Sequence, residues 1–384
     1  MKIGLVTPGG FDRSGQERVI PAFLWLVERL ARRHEVHVYT LHQYPQPQDY
    51  PLLGATIHNI GYRPDSWRTP RQIACALRAL QQEHRRGRFD VLHGLWLGES
   101  GLVAALAGRM GRIPNVVTAA GGELVALPEV GYGGQLSRNS RLVIGTTLRL
   151  AQTITVASRY MRRLLEPRRA VHRVIPLGVD TGCFKPPMVP PPGPPWRLLH
   201  VASLNRVKDQ PTLLRAFQRI RAAEPAVHLD IIGTDTLEGE TQRLAHTLGL
   251  AEAATFHGFQ PSAVVARFLQ RSHLLLHSSR HEAGPLVFLE AAACGVATVG
   301  TAVGHIDDLA PEAAAAVPVG DDATLAQVTL ALLHDNACRI ALGERALDFA
   351  RAHDAEWTAR QYESLYAEIG ARSRARAKKS PAPA

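Results

Sequence analysis

The chemistry of this 384-residue chain gathers in a few polar residues set among apolar ones. The segment SSRHEAGPLVFLEAAACGVATV (278–299) carries two carboxylates, Glu282 and Glu290. Pro285 between them is a helix-start signal. It leaves the N–H groups of Leu286 and Val287 at a helix N-terminus, a good seat for a phosphate. Glu282 falls in the loop before that helix and Glu290 inside it, so the two line a ligand lengthwise and do not share one face. The neighbours Leu289, Ala291, Ala292 and Ala293 imply that Glu290 is buried, and a buried carboxyl needs a partner. The plainer alternative is a solvated helix carboxylate.

A second segment, VASLNRVKDQPTLLRAF (201–217), reads as strand, polar loop and helix, with Arg206 and Lys208 in the loop. Lys208 is one of two lysines in residues 181–370, and a compact ammonium is a suitable point charge against a phosphate. The alternative is that both cations merely decorate a loop. A third segment, PGGFDRSGQER (8–18), places Gly15 before a helix expected near residue 16, where a missing Cβ lets a phosphate approach closely.

These segments need elements to hold them. Strands are expected at 2–7, 35–41, 90–94, 114–119, 153–156 and 171–176, separated by helical patterns such as 16–33 and 100–110. The run PPMVPPPGPP (186–195) then breaks the rhythm, because prolines cannot lie inside a sheet. The rhythm restarts with strands at 197–203, 227–233, 254–257, 273–277 and 296–300, and three helices close the chain. The fold class is therefore α/β, with two Rossmann-like doubly wound parallel-sheet domains facing across a cleft. The expected limits are 1–183 for the first domain, 184–196 for a proline-rich linker and 197–370 for the second domain, whose last helix packs back on the first. A basic, disordered tail is expected at 371–384.

Composition narrows the choice. The formal charge is +10, and 39 of the 44 cations are arginine. Residues 1–180 hold 24 Lys/Arg against 13 Asp/Glu, whereas 181–370 hold 15 against 21. A basic half joined to an acidic half suggests that the first meets an anion. On the first half, Arg71, Arg78 and Arg85 repeat at seven-residue spacing, and residues 137–173 hold nine Arg against the single acid Glu166. A solvated face in an Arg-rich chain is the rival reading. No apolar run reaches a membrane span, and the N-terminus reads as a strand, not a leader. Cys75, Cys183, Cys294 and Cys338 form no CxxC pair, which argues against zinc and disulfides and for a reducing compartment. GxGxxG, Gly-Lys, HExxH, GxSxG and Asp-x-Asp are all absent from the sequence. No metal and no cofactor is therefore expected. Aromatic residues are only 6% of the chain, and no nucleic-acid recognition motif is present.

Taken together, these segments resemble the family-4 retaining glycosyltransferases, which have the two-domain GT-B fold. Their hallmark is Glu-x7-Glu followed by Ala-x-Ala-x-Gly, and Glu282…Glu290-Ala-Ala-Ala-Cys-Gly295 fits it. VVTAAGGE (116–123), VIPLGVD (174–180) and ATFHGFQP (254–261) resemble further family segments, so the likeness spans about residues 2–370. The resemblance implies that Glu282 contacts the donor sugar, that Glu290 holds the nucleotide ribose and that Lys208 neutralises the donor diphosphate. Gly15, Gly121, Gly284, Leu286 and Val287 are then expected at the nucleotide sugar, which enters as co-substrate. Three departures stand out. Ser203 occupies the place of a family Arg, Ala120 that of a His that contacts the donor sugar, and Pro285 that of a Gly. Arg206 is expected to supply the missing charge, and Glu123 to replace the His.

The expected activity is metal-independent hexosyl transfer, with retention, from a nucleotide sugar (a UDP-sugar on family frequency) to a saccharide or lipid-phosphate acceptor in cell-surface glycan or glycolipid synthesis. The acceptor is expected on the basic first domain. The protein is expected in the cytoplasm, with docking at an anionic inner membrane face as a further expectation, and without a nucleic-acid partner. Two rivals are a nucleotide-sugar epimerase or hydrolase of the same fold, and a lapsed transferase that only binds sugar nucleotide.

Overall fold

A computed structural model describes residues 1–62 and 70–379. The first half builds an eight-stranded sheet from β1 (Lys2–Thr7), β2 (Glu35–Thr40), β3 (Gln48–Leu52), β4 (Ala55–Asn59), β5 (Val91–Leu95), β6 (Asn115–Ala119), β7 (Thr153–Val156) and β8 (Arg173–Val174). The strand order is β3-β4-β2-β1-β5-β6-β7-β8, parallel throughout except for the β3–β4 pair. Its helices are α1 (Pro21–Ala31), α2 (Pro70–Arg86), α3 (Glu99–Gly111), α4 (Arg138–Leu150) and α5 (Arg159–Leu165). Strands β1, β5, β6 and β7 are buried on both faces, which explains their continuous apolar runs.

The second half repeats the plan. Strands β9 (Trp196–Val201), β10 (Val227–Ile232), β11 (Ala254–Phe256), β12 (Leu274–His277), β13 (Ala297–Thr301) and β14 (Ala315–Val317) form a six-stranded sheet, in the order β11-β10-β9-β12-β13-β14. Its helices are α6 (Gln210–Ala223), α7 (Glu240–Thr247), α8 (Ser262–Gln270), α9 (Leu286–Ala293), α10 (Gly304–Leu309), α11 (Asp322–His334), α12 (Asn336–Ala352) and α13 (Ala355–Lys379).

Helix α13 returns to the first half. Ala359, Tyr362, Leu365 and Tyr366 join Ile3, Leu5, Phe23 and Val38 in one core. A polar contact fixes the register: the fully buried His93 meets Tyr366 Oη at 2.7 Å through Nδ1 and Thr118 Oγ1 at 2.7 Å through Nε2. Burial pushes the imidazolium pKa down to about 3, so the ring stays neutral. Tyr366→Phe leaves one buried ring nitrogen unpaired. It should cost about 1–3 kcal/mol, read as a lower urea midpoint with an unchanged slope.

Four sequence expectations need correction. The first helix starts at Pro21 and not near residue 16, because residues 8–20 form a loop. In that loop Gln43 Oε1 accepts from Gly10 N at 2.7 Å and from Phe11 N at 3.0 Å. Strands β3 and β4 were not expected. They form a hairpin whose two turn residues, Leu53 (φ 51°) and Gly54 (φ 80°), are both left-handed, and β3 tolerates Pro51 because it lies at the sheet edge. The short β14 and α10 also went unseen, three and six residues being too few to show a period. Finally, the tail expected to be disordered from 371 is helical as far as Lys379, because helix α13 runs on through this Arg/Ala-rich stretch. Residues 380–384 lie outside the described residues.

Candidate functional site

The site lies where the carboxyl ends of the two sheets meet. Single residues at strand ends set its geometry. After β9, Asn205 caps one short turn by accepting from Lys208 N at 3.2 Å, and the left-handed Asp209 (φ 51°) then starts α6. After β12, Ser278 Oγ donates to Lys208 O at 2.7 Å and Arg280 N donates to Val207 O at 2.8 Å. Arg280 also pairs with Asp209 at 3.2 Å. The loops 205–209 and 278–282 are thus zipped together, and that brings Lys208 to Glu282.

Lys208 Nζ forms an ion pair with Glu282 Oε1. The same carboxylate accepts from Ser279 Oγ at 2.8 Å and stands 3.4 Å from Nε2 of the buried His277. Burial alone would favour the neutral acid. The Lys208 ammonium and the His277 contact overcome it and hold the Glu282 carboxyl well below the usual carboxylate range. This is an ionised, preorganised carboxylate–ammonium pair.

Glu290 differs. It is buried on α9, one turn beyond Leu286 and Val287 on the same face, as expected from its apolar neighbours. Among the described residues no side chain hydrogen-bonds its carboxyl. Desolvation pushes its pKa up to about 8. Burial raises the pKa of the Cys183 and Cys294 thiols, with a smaller contribution from the Glu290 carboxyl. The Leu286 and Val287 N–H groups open α9 without backbone acceptors among the described residues, and Pro285 precedes them at the cap position.

The cleft is closed from the other side by the loop after β6. Gly121 O accepts from His281 Nε2 at 3.3 Å, and Tyr160 Oη lies 3.3 Å from His281 Nδ1. A Cβ on Gly121 would lie 2.6 Å from Trp96 Nε1, so glycine is needed for this close approach. Glu123 is buried. Burial raises its pKa, although its carboxylate collects N–H bonds from Leu97 at 3.0 Å, Gly121 at 2.7 Å and Ala120 at 3.4 Å. It braces the loop and leaves no oxygen committed to a ligand. The ring that stands beside Glu282 and reaches Gly121 is His281.

The structure therefore brings together Lys208, Glu282 and Gly121, with Glu290, Gly284, Leu286 and Val287 on the adjoining loop and helix. It does not bring in two residues. Arg206 is largely exposed and faces Glu240 at 3.7 Å. Gly15 (φ 63°) sits in a turn whose nearest neighbour is Leu52 of the edge strand β3, away from the other candidates. His277, Ser279, His281, Tyr160 and Arg280 were missed from sequence. His277 and His281 flank the Ser-Ser-Arg run before Glu282, and two histidines at a strand end were the available signal. Part of the basic charge is also spent inside the molecule. Arg163 pairs with Asp307, Arg159 Nη2 donates to Asp308 O at 2.8 Å, and Arg173 meets Glu368 at 2.6 Å.

Comparison with known proteins decides the family. Residues 186–349 match the model for glycosyl transferases group 1, and residues 19–178 match that for a glycosyl transferase 4-like domain. The chain is a group 1 glycosyltransferase. It is 30% identical over 175 residues to the N-acetyl-alpha-D-glucosaminyl L-malate synthase of Bacillus anthracis, a stretch covering 45% of each chain. It is 28% identical over 337 residues to the D-inositol 3-phosphate glycosyltransferase of Mycolicibacterium smegmatis, covering 79% of this chain and 74% of that one. Among solved structures, sucrose-phosphate synthase from Thermosynechococcus elongatus superposes with a TM-score of 0.82 at 21% identity, covering 97% of this chain and 99% of that one. Anabaena HepE, solved in complex with UDP-glucose, gives 0.73 at 18% identity, covering 96% and 100%. The glycosyltransferase has the GT-B fold, as its two facing sheets indicate. No helix among the described residues is long and apolar enough to cross a membrane.

Proposed function

We propose that this glycosyltransferase moves a hexosyl group from a nucleotide sugar, with a UDP-sugar favoured, to an acceptor on the first half, with retention of configuration. The observation that carries the reading is the pair Lys208–Glu282, held by two zipped loops beside the start of α9. Glu282 takes hydroxyls of the donor sugar. Lys208 and the Leu286 and Val287 N–H groups meet the diphosphate as the glycosidic bond breaks, and stabilise the leaving charge. At Gly284 a Cβ would lie 2.7 Å from His305 Nε2, so glycine lets the loop run close against that ring on its way to the start of α9. Glu290, buried and unbonded, accepts from the ribose. Retaining hydrolases place two carboxylates about the scissile bond, one of them as nucleophile. Here only Glu282 adjoins the proposed sugar position, because Glu290 lies further along α9. That arrangement supports same-face attack by the acceptor, with the leaving diphosphate taking the acceptor proton.

Charge supports an anionic acceptor or surface for part of the first half. Arg71, Arg78 and Arg85 are all exposed along α2. A saccharide or lipid-phosphate acceptor in cell-surface glycan synthesis and contact with an anionic membrane face fit this stripe. The proposed setting is the cytoplasm. Pelleting with anionic vesicles at low salt should bind the protein, and absence of pelleting would remove the membrane contact.

A thermal-shift panel of UDP-, GDP-, dTDP- and ADP-sugars tests the donor reading. At least one should raise the melting temperature, because a ligand of the folded state stabilises by mass action. No shift with any of them would contradict nucleotide-sugar binding.

A further inference from the structure

A second concave site lies on the first half, at the carboxyl ends of β1, β2 and β5. It is a groove of about 630 Å³, within the usual range for small-molecule sites. Leu41, Ile73, Leu106, Leu142 and Val143 wall it together with Trp96. Leu142 is 72% exposed at the rim and continues this apolar lining to the surface. The ionisable groups that line the groove, His42 and Glu99, are already engaged with each other. His42 Nε2 meets Glu99 Oε2 at 2.9 Å, and Gln72 Nε2 approaches His42 Nδ1 at 3.3 Å. Among the described residues that line it there is no lysine or arginine. A phosphate would meet the Glu99 carboxylate there and no counter-charge.

Trp96 joins this groove to the candidate site. Its backbone is left-handed (φ 71°), a conformation that costs energy for any residue with a Cβ and that persists where the surroundings impose it. Phe23 holds its ring edge-on at 5.1 Å between centroids, and Gly121 packs against its indole nitrogen. Gly121 O in turn accepts from His281, next to Glu282. The groove and the Lys208–Glu282 pair are thus two ends of one line of contacts that runs through Trp96, Gly121 and His281.

We propose that the groove binds an uncharged apolar portion of the acceptor, an alkyl chain or aromatic ring. Trp96 is then the positioning residue that turns the acceptor hydroxyl toward the donor sugar. This rests on the transferase reading above and names the acceptor class: an amphiphile whose apolar part is neutral. The exposed arginines of α2 are left for any anionic part beyond the groove.

The test uses the full chain and a neutral fluorescent probe, N-phenyl-1-naphthylamine, displaced by primary alkanols from 1-butanol to 1-octanol. Affinity should rise about fourfold per added CH₂, the fold-change that corresponds to about 0.8 kcal/mol per buried methylene. Leu142→Glu, at an exposed helix position, should weaken 1-octanol at least tenfold, and Leu106→Ala should weaken it several-fold. Alkanol binding should change tryptophan emission in the wild type but not in Trp96→Phe. Displacement independent of chain length, or unaltered by both leucine substitutions, would overturn the proposal. So would binding to phosphatidylcholine vesicles without displacement by monomeric alkanols, which would mark a membrane-facing surface instead. If nucleotide sugars bind and alkanols do not, the groove assignment alone fails. If alkanols bind and no nucleotide sugar does, the transferase reading fails and the groove stands.

Discussion

Lys208→Ala should lower nucleotide release from the donor by about 10²–10³-fold, with a much smaller change in donor affinity. The size follows from removing one preorganised group at a developing negative charge, worth about 2.7–4 kcal/mol. Arg280, the cation of the other zipped loop, is held by Asp209 at 3.2 Å. Ser203 carries no charge, and Arg206 lies largely exposed against Glu240. The substitution has a second effect. Burial opposes ionisation of Glu282, and Lys208 is the first of the groups that overcome it. In the wild type the depressed pKa adds stability that is present above the unfolded-state value of about 4.5 and is lost as pH falls below it. In Lys208→Ala that contribution should shrink to what His277 sustains, so the fall in melting temperature on acidification becomes shallower. A single-turnover assay of nucleotide release and a pH series of melting temperatures read the two effects separately. Loss of release by less than tenfold would show that the charge comes from elsewhere.

Glu290→Ala should weaken donor binding about tenfold to a hundredfold while leaving the release rate of bound donor nearly unchanged. A hydrogen bond to a charged group contributes about 1.5–3 kcal/mol, and this one is made equally before and during bond breaking. The carboxyl also leaves a pH signature. Its pKa is raised by burial from 4.5 to about 8 in the folded chain. Between those values the folded state holds the extra proton, so stability falls as pH rises through the window. Glu290→Gln has nothing to titrate. Its melting temperature should exceed that of the wild type by a margin that grows from pH 5 to pH 8. A donor that hydrogen-bonds to the carboxylate should also release protons on binding at pH 7, measurable by calorimetry in two buffers of different ionisation enthalpy. Equal pH profiles for Glu290→Gln and wild type would place the carboxyl in contact with solvent or a counter-charge.

Much of this was legible in the sequence, for physical reasons. Parallel strands buried on both faces appear as uninterrupted apolar runs, so both sheets could be located. The proline run marked the break between them. Glu290 stood out because a carboxyl among apolar neighbours is costly without a use, Glu282 by its spacing to Glu290, and Lys208 as a rare lysine in an arginine-rich chain. The hairpin β3–β4 escaped because edge strands are short and polar and here include Pro51. Loop geometry was the other blind spot. Gly15 looked like a phosphate turn only while the helix was placed five residues too early, and its neighbour is Leu52. Arg206 is close to Lys208 in sequence, but the short turn that Asn205 caps sends the two side chains to different partners. Glu123 was a candidate to replace a histidine at Ala120. Its carboxylate instead binds three backbone N–H groups, and His281 approaches the same loop from the second half. Contacts between residues 160 positions apart have no local pattern, and neither has the left-handed Trp96.

The proposed reaction is transfer with the donor's configuration kept, and one experiment follows the sugar itself. The protein, a nucleotide sugar that raises its melting temperature and an alkyl glycoside acceptor are mixed, and the anomeric signals are followed by proton NMR. The expected result is loss of the donor signal matched by a new glycosidic signal of the same anomeric configuration and by free nucleotide diphosphate, at a rate cut at least a hundredfold in Lys208→Ala. A product of inverted configuration would contradict retention. Free sugar or an epimerised donor, formed without the acceptor and independent of Lys208, would contradict transfer altogether.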